Sequence, residues 1–347
     1  MPSVTIDAGV LASPPECGTV DDAHRYVETL LDWSKLLEEP WVAIFMSERA
    51  SEALFEDGLF PFRDQLKRLF AANRIVEYDV NTIAKVVDRL LQLTPSFETY
   101  FSVRDVLTEE LTIEPDILRL CSGTRLQSDL ARCVVLIAIL RQHCQESGRD
   151  HSLIVRCAPG RTVRVRALVY MLEHQRDDFG RIPVPPEYFE GDVLVCDDFR
   201  GLIECLDEAS ILLKATDDVG VGTAIRIAFY KSRLACGRAA EWDDIPAYRL
   251  GHAFLPVLQG IHPTQQVAER VLRSIVETLE QTNMAATHEL RTGPGGNDPQ
   301  RSRVCDQAKA WRRDIDREYH LHYWSCEDGL VEIASVNFPH GDFTIPE

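Results

Sequence analysis

The sequence predicts an α/β fold: a parallel sheet flanked by helices, then a mainly α-helical region and a C-terminal β-hairpin. In the first half, short apolar runs alternate with segments of helical periodicity, an order typical of parallel sheets. Beyond about residue 200 helical segments follow one another, and an Asp-Gly turn joins two strand-like runs near the end. The expected domains are 1–182, 191–300 and 301–347.

The first four elements alternate between strand and helix. The run Val4–Leu11 predicts a buried strand that carries one acid, Asp7. Residues 21–39 show helical spacing of apolar positions and stop before a proline. Residues 41–46 form an apolar run typical of a second buried strand, and a helix capped by its first residue is expected over 47–55.

The alternation continues as far as the longest helix. A helix is expected over 61–73, a strand over 75–79 and another helix over 81–93. Residues 96–124 are less regular, and short helices are expected there. Residues 126–145 have the strongest helical pattern and a mostly apolar centre, so this helix should lie in the middle of the domain.

Two more strands and a series of helices complete the prediction. Strands are expected over 152–157 and 192–198, separated by a charged, proline-rich stretch at 174–191 that suits a domain boundary. A flexible loop is expected at 292–302. The remaining expected elements are helices over 202–214, 223–236, 248–258, 263–283 and 304–318, and a hairpin of 319–325 with 330–338.

Composition limits the classes of partner and compartment. The 347 residues carry a net charge of -18, which disfavours tight, non-specific binding to nucleic acid. Ten cysteines are scattered singly without a CxxC pair, as expected for a reducing, cytoplasmic location. No apolar run is long enough to span a membrane and no secretory leader is recognisable, so no membrane partner is expected.

Three acidic residues follow predicted strands or open a helix. Ligands of parallel sheets bind at the carboxyl ends of the strands, where Asp7, Glu52 and Asp129 could converge. Hard oxygen ligands of this kind suit Mg²⁺ or Mn²⁺, which polarise phosphate oxygens. Glu48 competes with Glu52 for the same role, since both follow Ser47. The alternative is that these acids are solvated surface charges or helix caps.

Residues 1–160 resemble a PIN-like nuclease domain. The resemblance depends on the strand with an early Asp7, the Ser47 that precedes Glu52, and the Asp129 that opens an apolar helix. It implies that these acids are catalytic and hold a divalent metal for the cleavage of single-stranded RNA. It further implies a bacterial toxin or phage-defence effector, controlled by an attached region or by a regulatory protein partner.

One position departs from the family pattern. An acid is expected after the strand that follows the long helix, and Arg156 stands there instead. The run Val193–Arg200 resembles the missing element better, although it lies further along the chain. Either the domain has an insertion with Asp197 as a fourth catalytic acid, or only three carboxylates form the site. The alternative function is an inactive, nuclease-like interaction protein that binds a partner through its C-terminal half.

The densest basic segment and a histidine pair are further candidates. Four arginines close together are candidates for binding the RNA backbone, and strand alternation would place the last two on one face. They are Arg156, Arg161, Arg164 and Arg166. The alternative is that they pair with nearby acids. His320 and His322 lie on one face of the terminal hairpin. They are candidates for metal binding, for acid–base catalysis or for a surface that contacts a partner.

Overall fold

The protein consists of two compact units, Met1–Leu206 and Asp207–Glu347. The structure is a computed structural model, which describes residues 2–16, 18–144, 150–177, 187–293, 295–338 and 344–347. Residues 178–186, the centre of the predicted boundary stretch, lie outside the described residues. The first unit continues beyond that stretch because the strand that follows it belongs to the same sheet.

The first unit is built on a six-stranded sheet with the order β2-β1-β4-β6-β5-β3. Its strands are β1 (Ser3–Ile6), β2 (Ala43–Met46), β3 (Val103–Glu114), β4 (His151–Ile154), β5 (Thr162–His174) and β6 (Glu187–Cys196). The pairings β1–β2, β1–β4 and β4–β6 are parallel, whereas β5–β6 and β3–β5 are antiparallel. The predicted α/β class is therefore confirmed as a mixed, mostly parallel sheet.

Helices flank this sheet. They are α1 (Ala8–Leu11), α2 (Val20–Leu36), α3 (Ala50–Glu56), α4 (Arg63–Asn73), α5 (Val80–Leu93), α6 (Phe97–Phe101), α7 (Thr124–His143) and α8 (Phe199–Cys205). The long helix α7 packs against β3, β4, β5 and β6. Every residue from Arg132 to Leu140 in this helix is buried, which confirms that the helix expected over 126–145 is central. Burial on all sides explains its continuous apolar run.

The first predicted strand was too long. The strand β1 ends at Ile6, and Asp7 caps helix α1 by accepting a hydrogen bond from the Gly9 amide at 2.9 Å. A capping carboxylate satisfies an amide that has no partner within the helix, so the chain turns at this point. The helix expected over 47–55 begins later than predicted. It is α3, which starts at Ala50, so Ser47 lies outside it and the predicted cap was wrong.

Two further corrections concern residues 75–124. Residues 75–79 do not form a strand, because Asp79 caps α5 through the amide of Thr82. The less regular region expected at 96–124 contains the twelve-residue strand β3. This strand lies at the sheet edge and its register with β5 shifts at several places, so its pattern of exposure lacks a clean alternation.

The second unit combines helices with a five-stranded sheet of order β7-β11-β10-β9-β8. Its strands are β7 (Tyr248–Leu250), β8 (Thr287–Glu289), β9 (Lys309–Asp314), β10 (His320–Ser325) and β11 (Val331–Asn337). Its helices are α9 (Glu208–Lys214), α10 (Asp218–Ala235), α11 (Phe254–Gly260) and α12 (Gln265–Leu279). The predicted hairpin is confirmed as β10–β11. The helix predicted over 304–318 was wrong, since β9 occupies this region and pairs with β10.

Within the described ranges, none of the helices in either unit has the length and apolar character that a bilayer crossing needs.

Candidate functional site

The carboxyl ends of β1, β2, β4 and β6 lie at the same edge of the sheet, since these strands run parallel. The chain passes from β1 to β2 on one side and returns to β4 on the other side of β1, so the strand order reverses between β1 and β4. Crevices at such a reversal are where open α/β sheets bind their ligands. Residues just after these strand ends are therefore the candidates for function.

Two of the predicted carboxylates meet at this edge. Asp7 directly follows β1, Asp129 lies in α7, and each is only 5 % exposed. Burial, and next to it the negative charge of Asp129, raise the pKa of Asp7 to about 7. Burial also raises the pKa of Asp129. Like charges that interact in a buried site disfavour ionisation unless a cation compensates them.

A buried ion pair holds Asp129 in place. The Arg132 guanidinium donates to Asp129 Oδ1 at 3.1 Å and to Ser47 Oγ at 2.8 Å, and it forms an ion pair with Glu98. Ser47 Oγ donates to Asp129 Oδ1 at 2.8 Å. The other carboxylate oxygen, Asp129 Oδ2, is buried and has no hydrogen-bond partner among the described residues. Such an atom needs an explanation, and an ion or a water is the usual one.

Asp7 is oriented by its own helix and by a thiol. A Cβ at Gly9 would lie 2.6 Å from Asp7 Oδ2, so only glycine lets the backbone approach this closely. The Cys121 thiol donates to the same oxygen, with 3.7 Å between the sulfur and Oδ2. Burial, and then the charge of Asp7, raise the pKa of Cys121, which keeps this thiol protonated. The carboxylate is thus fixed by two donors from one side.

The charges of this cluster do not balance. We call Asp7, Ser47, Glu98, Asp129 and Arg132 the carboxylate cluster. When its ionisable members are all charged, three carboxylates face one guanidinium, which leaves an excess of two negative charges. A divalent cation would neutralise that excess. Sequence reasoning missed Glu98 and Arg132, although Arg132 is a charge inside an apolar helix, and such a charge indicates a buried partner.

The third predicted carboxylate lies elsewhere. Glu52 is exposed in the first turn of α3, and none of the contacts of the carboxylate cluster involves it. In the part of the chain that the structure describes, no three His, Cys, Asp or Glu side chains are arranged to hold a metal ion. Mg²⁺ commonly uses one or two carboxylates and completes its shell with waters and substrate phosphates. Asp7 and Asp129 would supply the one or two carboxylates of that arrangement. The described residues form no cage of three or four acids.

A pocket of about 320 Å³ opens beside the same edge, at the reversal of strand order. It is lined by residues of α1 and α2 and by the ends of β4 and β6, among them Arg25, Arg156, Asp197 and Asp198. Asp197 accepts a hydrogen bond from the Ala158 amide at 3.0 Å. Burial, followed by the charge of Asp198, raises the pKa of Asp197. The predicted fourth acid thus belongs to this pocket.

Three of the four predicted substrate arginines pair with acids. Arg164 and Arg166 lie on the exposed face of β5, each with its guanidinium 3.3 Å from a carboxylate, of Asp192 and of Glu190 respectively. Arg161 forms an ion pair with Glu204. Arg156, which is half-buried, has no carboxylate within 4 Å among the described residues. The alternative that these arginines pair with nearby acids therefore holds for three of them, whereas Arg156 lines the pocket.

The two histidines of the hairpin are buried and contact other residues of the second unit. His320 and His322 are buried in β10. His320 lies 3.0 Å from Asp314, and His322 Nδ1 is 2.9 Å from the Thr344 carbonyl oxygen. They form part of the interior of the second unit, so an exposed partner surface built on them is excluded.

Comparison with known proteins gave no relatives: no family model matches the chain, and no curated protein and no solved structure is significantly similar to it. Function is therefore inferred from the residues and their surroundings.

Proposed function

We propose that the first unit is a PIN-like nuclease domain that hydrolyses single-stranded RNA with Mg²⁺ or Mn²⁺ held by Asp7 and Asp129. One observation carries the proposal: two buried carboxylates interact at the edge where the parallel strands end, and one of their oxygens lacks a hydrogen-bond partner among the described residues. The fully ionised carboxylate cluster would carry an excess of two negative charges, which a divalent ion would neutralise and which, without an ion, the proton on Asp7 reduces.

The protein groups have distinct tasks in this proposal. When bound, the metal ion would lower the pKa of a coordinated water and neutralise phosphate charge. Arg132 and Ser47 occupy Asp129 Oδ1, which leaves Oδ2 for the ion. The Gly9 amide and the Cys121 thiol hold Asp7 from one side. Fixed ligands of this kind avoid the cost of ordering side chains when the ion binds.

Metal binding and RNA cleavage test the proposal together. Mn²⁺ binding is measured by calorimetry, and cleavage of a single-stranded RNA is followed with and without Mn²⁺. We expect Asp7→Asn and Asp129→Asn each to weaken Mn²⁺ binding at least roughly tenfold and to abolish cleavage, because each removes one of two charged ligands. Asp64→Asn is the matched control, since Asp64 is exposed in α4 and far less constrained.

A substitution of Glu52 distinguishes this two-carboxylate site from the three-acid site that the sequence predicts. Glu52→Gln should leave Mn²⁺ binding unchanged, because the Glu52 side chain is exposed and outside the carboxylate cluster. A folded wild-type protein that binds no Mn²⁺ would contradict the metal-dependent function.

A second candidate function is an inactive, nuclease-like interaction protein. The observation that favours it is Arg132, a cation that already lies between Asp129 and Glu98. A guanidinium in a carboxylate site can replace a metal ion as the compensating charge. This candidate predicts no Mn²⁺ binding and no cleavage by either the wild type or Asp7→Asn.

A further inference from the structure

The pocket at the ends of β4 and β6 contains two guanidinium groups, of Arg25 and Arg156, and the carboxylates of Asp22, Asp197 and Asp198. Arg25 projects from α2 and Arg156 follows β4, and both line the pocket. Neither has a carboxylate within 4 Å in the described ranges, although both interact at longer distance with Asp22, and Arg25 also with Asp197. Arg156 is half-buried and Arg25 is exposed, so both side chains can be reached by a ligand in the pocket. A guanidinium without an ion pair keeps its five N–H donors for such a ligand.

We infer that this pocket binds a ribose phosphate, with the phosphate on Arg25 and Arg156 and the ribose hydroxyls on Asp197 and Asp198. Each guanidinium presents a planar fork of N–H donors that suits phosphate oxygens. The pocket lies where the strand order reverses, which is the usual place for phosphorylated ligands in open α/β sheets.

The acidic side of the pocket suits hydroxyl donors. Asp197 accepts one hydrogen bond from the Ala158 amide, and Asp198 accepts one from the Gly201 amide at 2.6 Å. A carboxylate has about four acceptor positions, so each can accept further hydrogen bonds from a ligand. Backbone donors also fix the orientation of both side chains. In dinucleotide-binding α/β folds an acidic residue accepts hydrogen bonds from the ribose hydroxyls, so carboxylates suit this kind of ligand.

The volume of the pocket suits a small ligand such as a ribose phosphate. Its volume of about 320 Å³ lies at the lower end of the range for small-molecule sites, roughly 300–1,000 Å³. A ribose phosphate can come from a free nucleotide or from the phosphorylated end of an RNA strand. The RNA source rests on the proposed function and deepens it, since the end of the strand would then be the part that the nuclease recognises. The pocket itself does not depend on the metal site.

Binding is measured by calorimetry on the full chain in EDTA, which separates the pocket from metal chemistry. The ligands are ribose 5-phosphate, inorganic phosphate, adenosine 5′-monophosphate, and one short RNA with either a 5′-phosphate or a 5′-hydroxyl. We expect ribose 5-phosphate to bind more tightly than inorganic phosphate, and the phosphorylated RNA at least roughly tenfold more tightly than its hydroxyl form. Adenosine 5′-monophosphate binding more tightly than the phosphorylated RNA would identify the free nucleotide as the source.

Matched variants locate the binding. Arg25→Gln and Arg156→Gln should each weaken binding of the phosphorylated ligands roughly tenfold or more. Arg161→Gln should not, because Arg161 is exposed and pairs with Glu204 outside the pocket. Asp197→Asn should reduce the preference for ribose 5-phosphate over inorganic phosphate. Asp7→Asn should bind like the wild type, so a failed metal site and a failed pocket give different results.

Three outcomes would overturn the inference. The first is that the folded wild type binds none of these ligands, and the second is that 5′-phosphate and 5′-hydroxyl RNA bind equally while adenosine 5′-monophosphate does not bind. The third is that inorganic phosphate binds as tightly as ribose 5-phosphate.

Discussion

At the scale of single residues, Asp7 couples the stability of the protein to pH. Its pKa is raised to about 7 in the folded state, above the ordinary value of 3.8. The folded protein therefore keeps a proton that the unfolded chain releases, and the free energy of unfolding falls as the pH rises from about 4 to about 7. Above that window the penalty is constant.

Asp7→Asn removes this penalty, so we expect the variant to match the wild type near pH 4 and to exceed its stability at pH 8 in EDTA. The gain is at most about 4 kcal/mol. Urea unfolding of both proteins across this range is the measurement. Buried His151, whose pKa is lowered to about 3, loses stabilising free energy as the pH falls below 6.5, but equally in both proteins. A constant difference at all pH values would refute the prediction.

Arg132 should be sensitive to substitution, since its side chain and that of its ion-pair partner Glu98 are almost fully buried. Arg132→Met leaves two carboxylates without their cation, and we expect a loss of about 3–5 kcal/mol in the free energy of unfolding at pH 7. Arg161→Met, at an exposed ion pair, should change it by less than about 1 kcal/mol.

Adding Glu98→Gln to Arg132→Met should restore part of the loss, because one uncompensated charge is removed. If the double variant is no more stable than the single one, the cluster is held mainly by packing.

The sequence could predict that Asp7 and Asp129 lie at the same edge of the sheet, because strand ends and an apolar helix are visible in local patterns. It could not place Glu52, since the facing of one helical turn depends on where the helix begins, and α3 begins three residues later than expected. Glu98 was missed because its role depends on residues 34 and 51 positions away, Arg132 and Ser47, which no local pattern connects.

At the scale of elements, residues 75–79 show how a cap overrides strand propensity. Ile75 is buried, but Val76 is 86 % exposed, so the apolar run has nothing to pack against as a strand. Asp79 instead caps α5, accepting from the Thr82 amide at 2.9 Å. The same competition shortened β1 at Asp7. Local patterns identified the presence of most helices, and capping side chains decided where they begin.

The cap of α5 gives a direct prediction. Asp79→Ala should lower the free energy of unfolding by about 1 kcal/mol, because the amide of Thr82 loses its acceptor. Asp88→Ala is the control, since Asp88 is exposed within the same helix. Thermal unfolding followed by circular dichroism distinguishes the two, and equal changes for both variants would show that the cap contributes nothing specific.

At the scale of the whole molecule, the α/β class of the first unit followed from the alternation of strands and helices. The sheet of the second unit did not follow, because β7 and β8 have only three residues each. The strand β9 carries four charged residues, a pattern that is typical of the exposed face of a helix. Long-range pairing is what makes such segments strands, and sequence periodicity over so few residues cannot show it.

The extent of the first unit can be tested with two fragments. A fragment of residues 1–206 should unfold cooperatively on heating, because it contains the complete six-stranded sheet. A fragment of residues 1–182, which ends where the sequence predicted a boundary, should not, because it lacks the strand β6 that joins β4 to β5. Equal cooperativity of both fragments in calorimetry would contradict this account of the unit.

The position of β6 also bears on how the chain is made. On the ribosome, β4 emerges before its neighbour β6, which is completed only at Cys196, more than 40 residues after Ile154. At about 5–20 residues per second, the nascent parallel and antiparallel halves stay apart for a few seconds. The last strand then enters between them, and newly synthesised chains expose two open edges until it does.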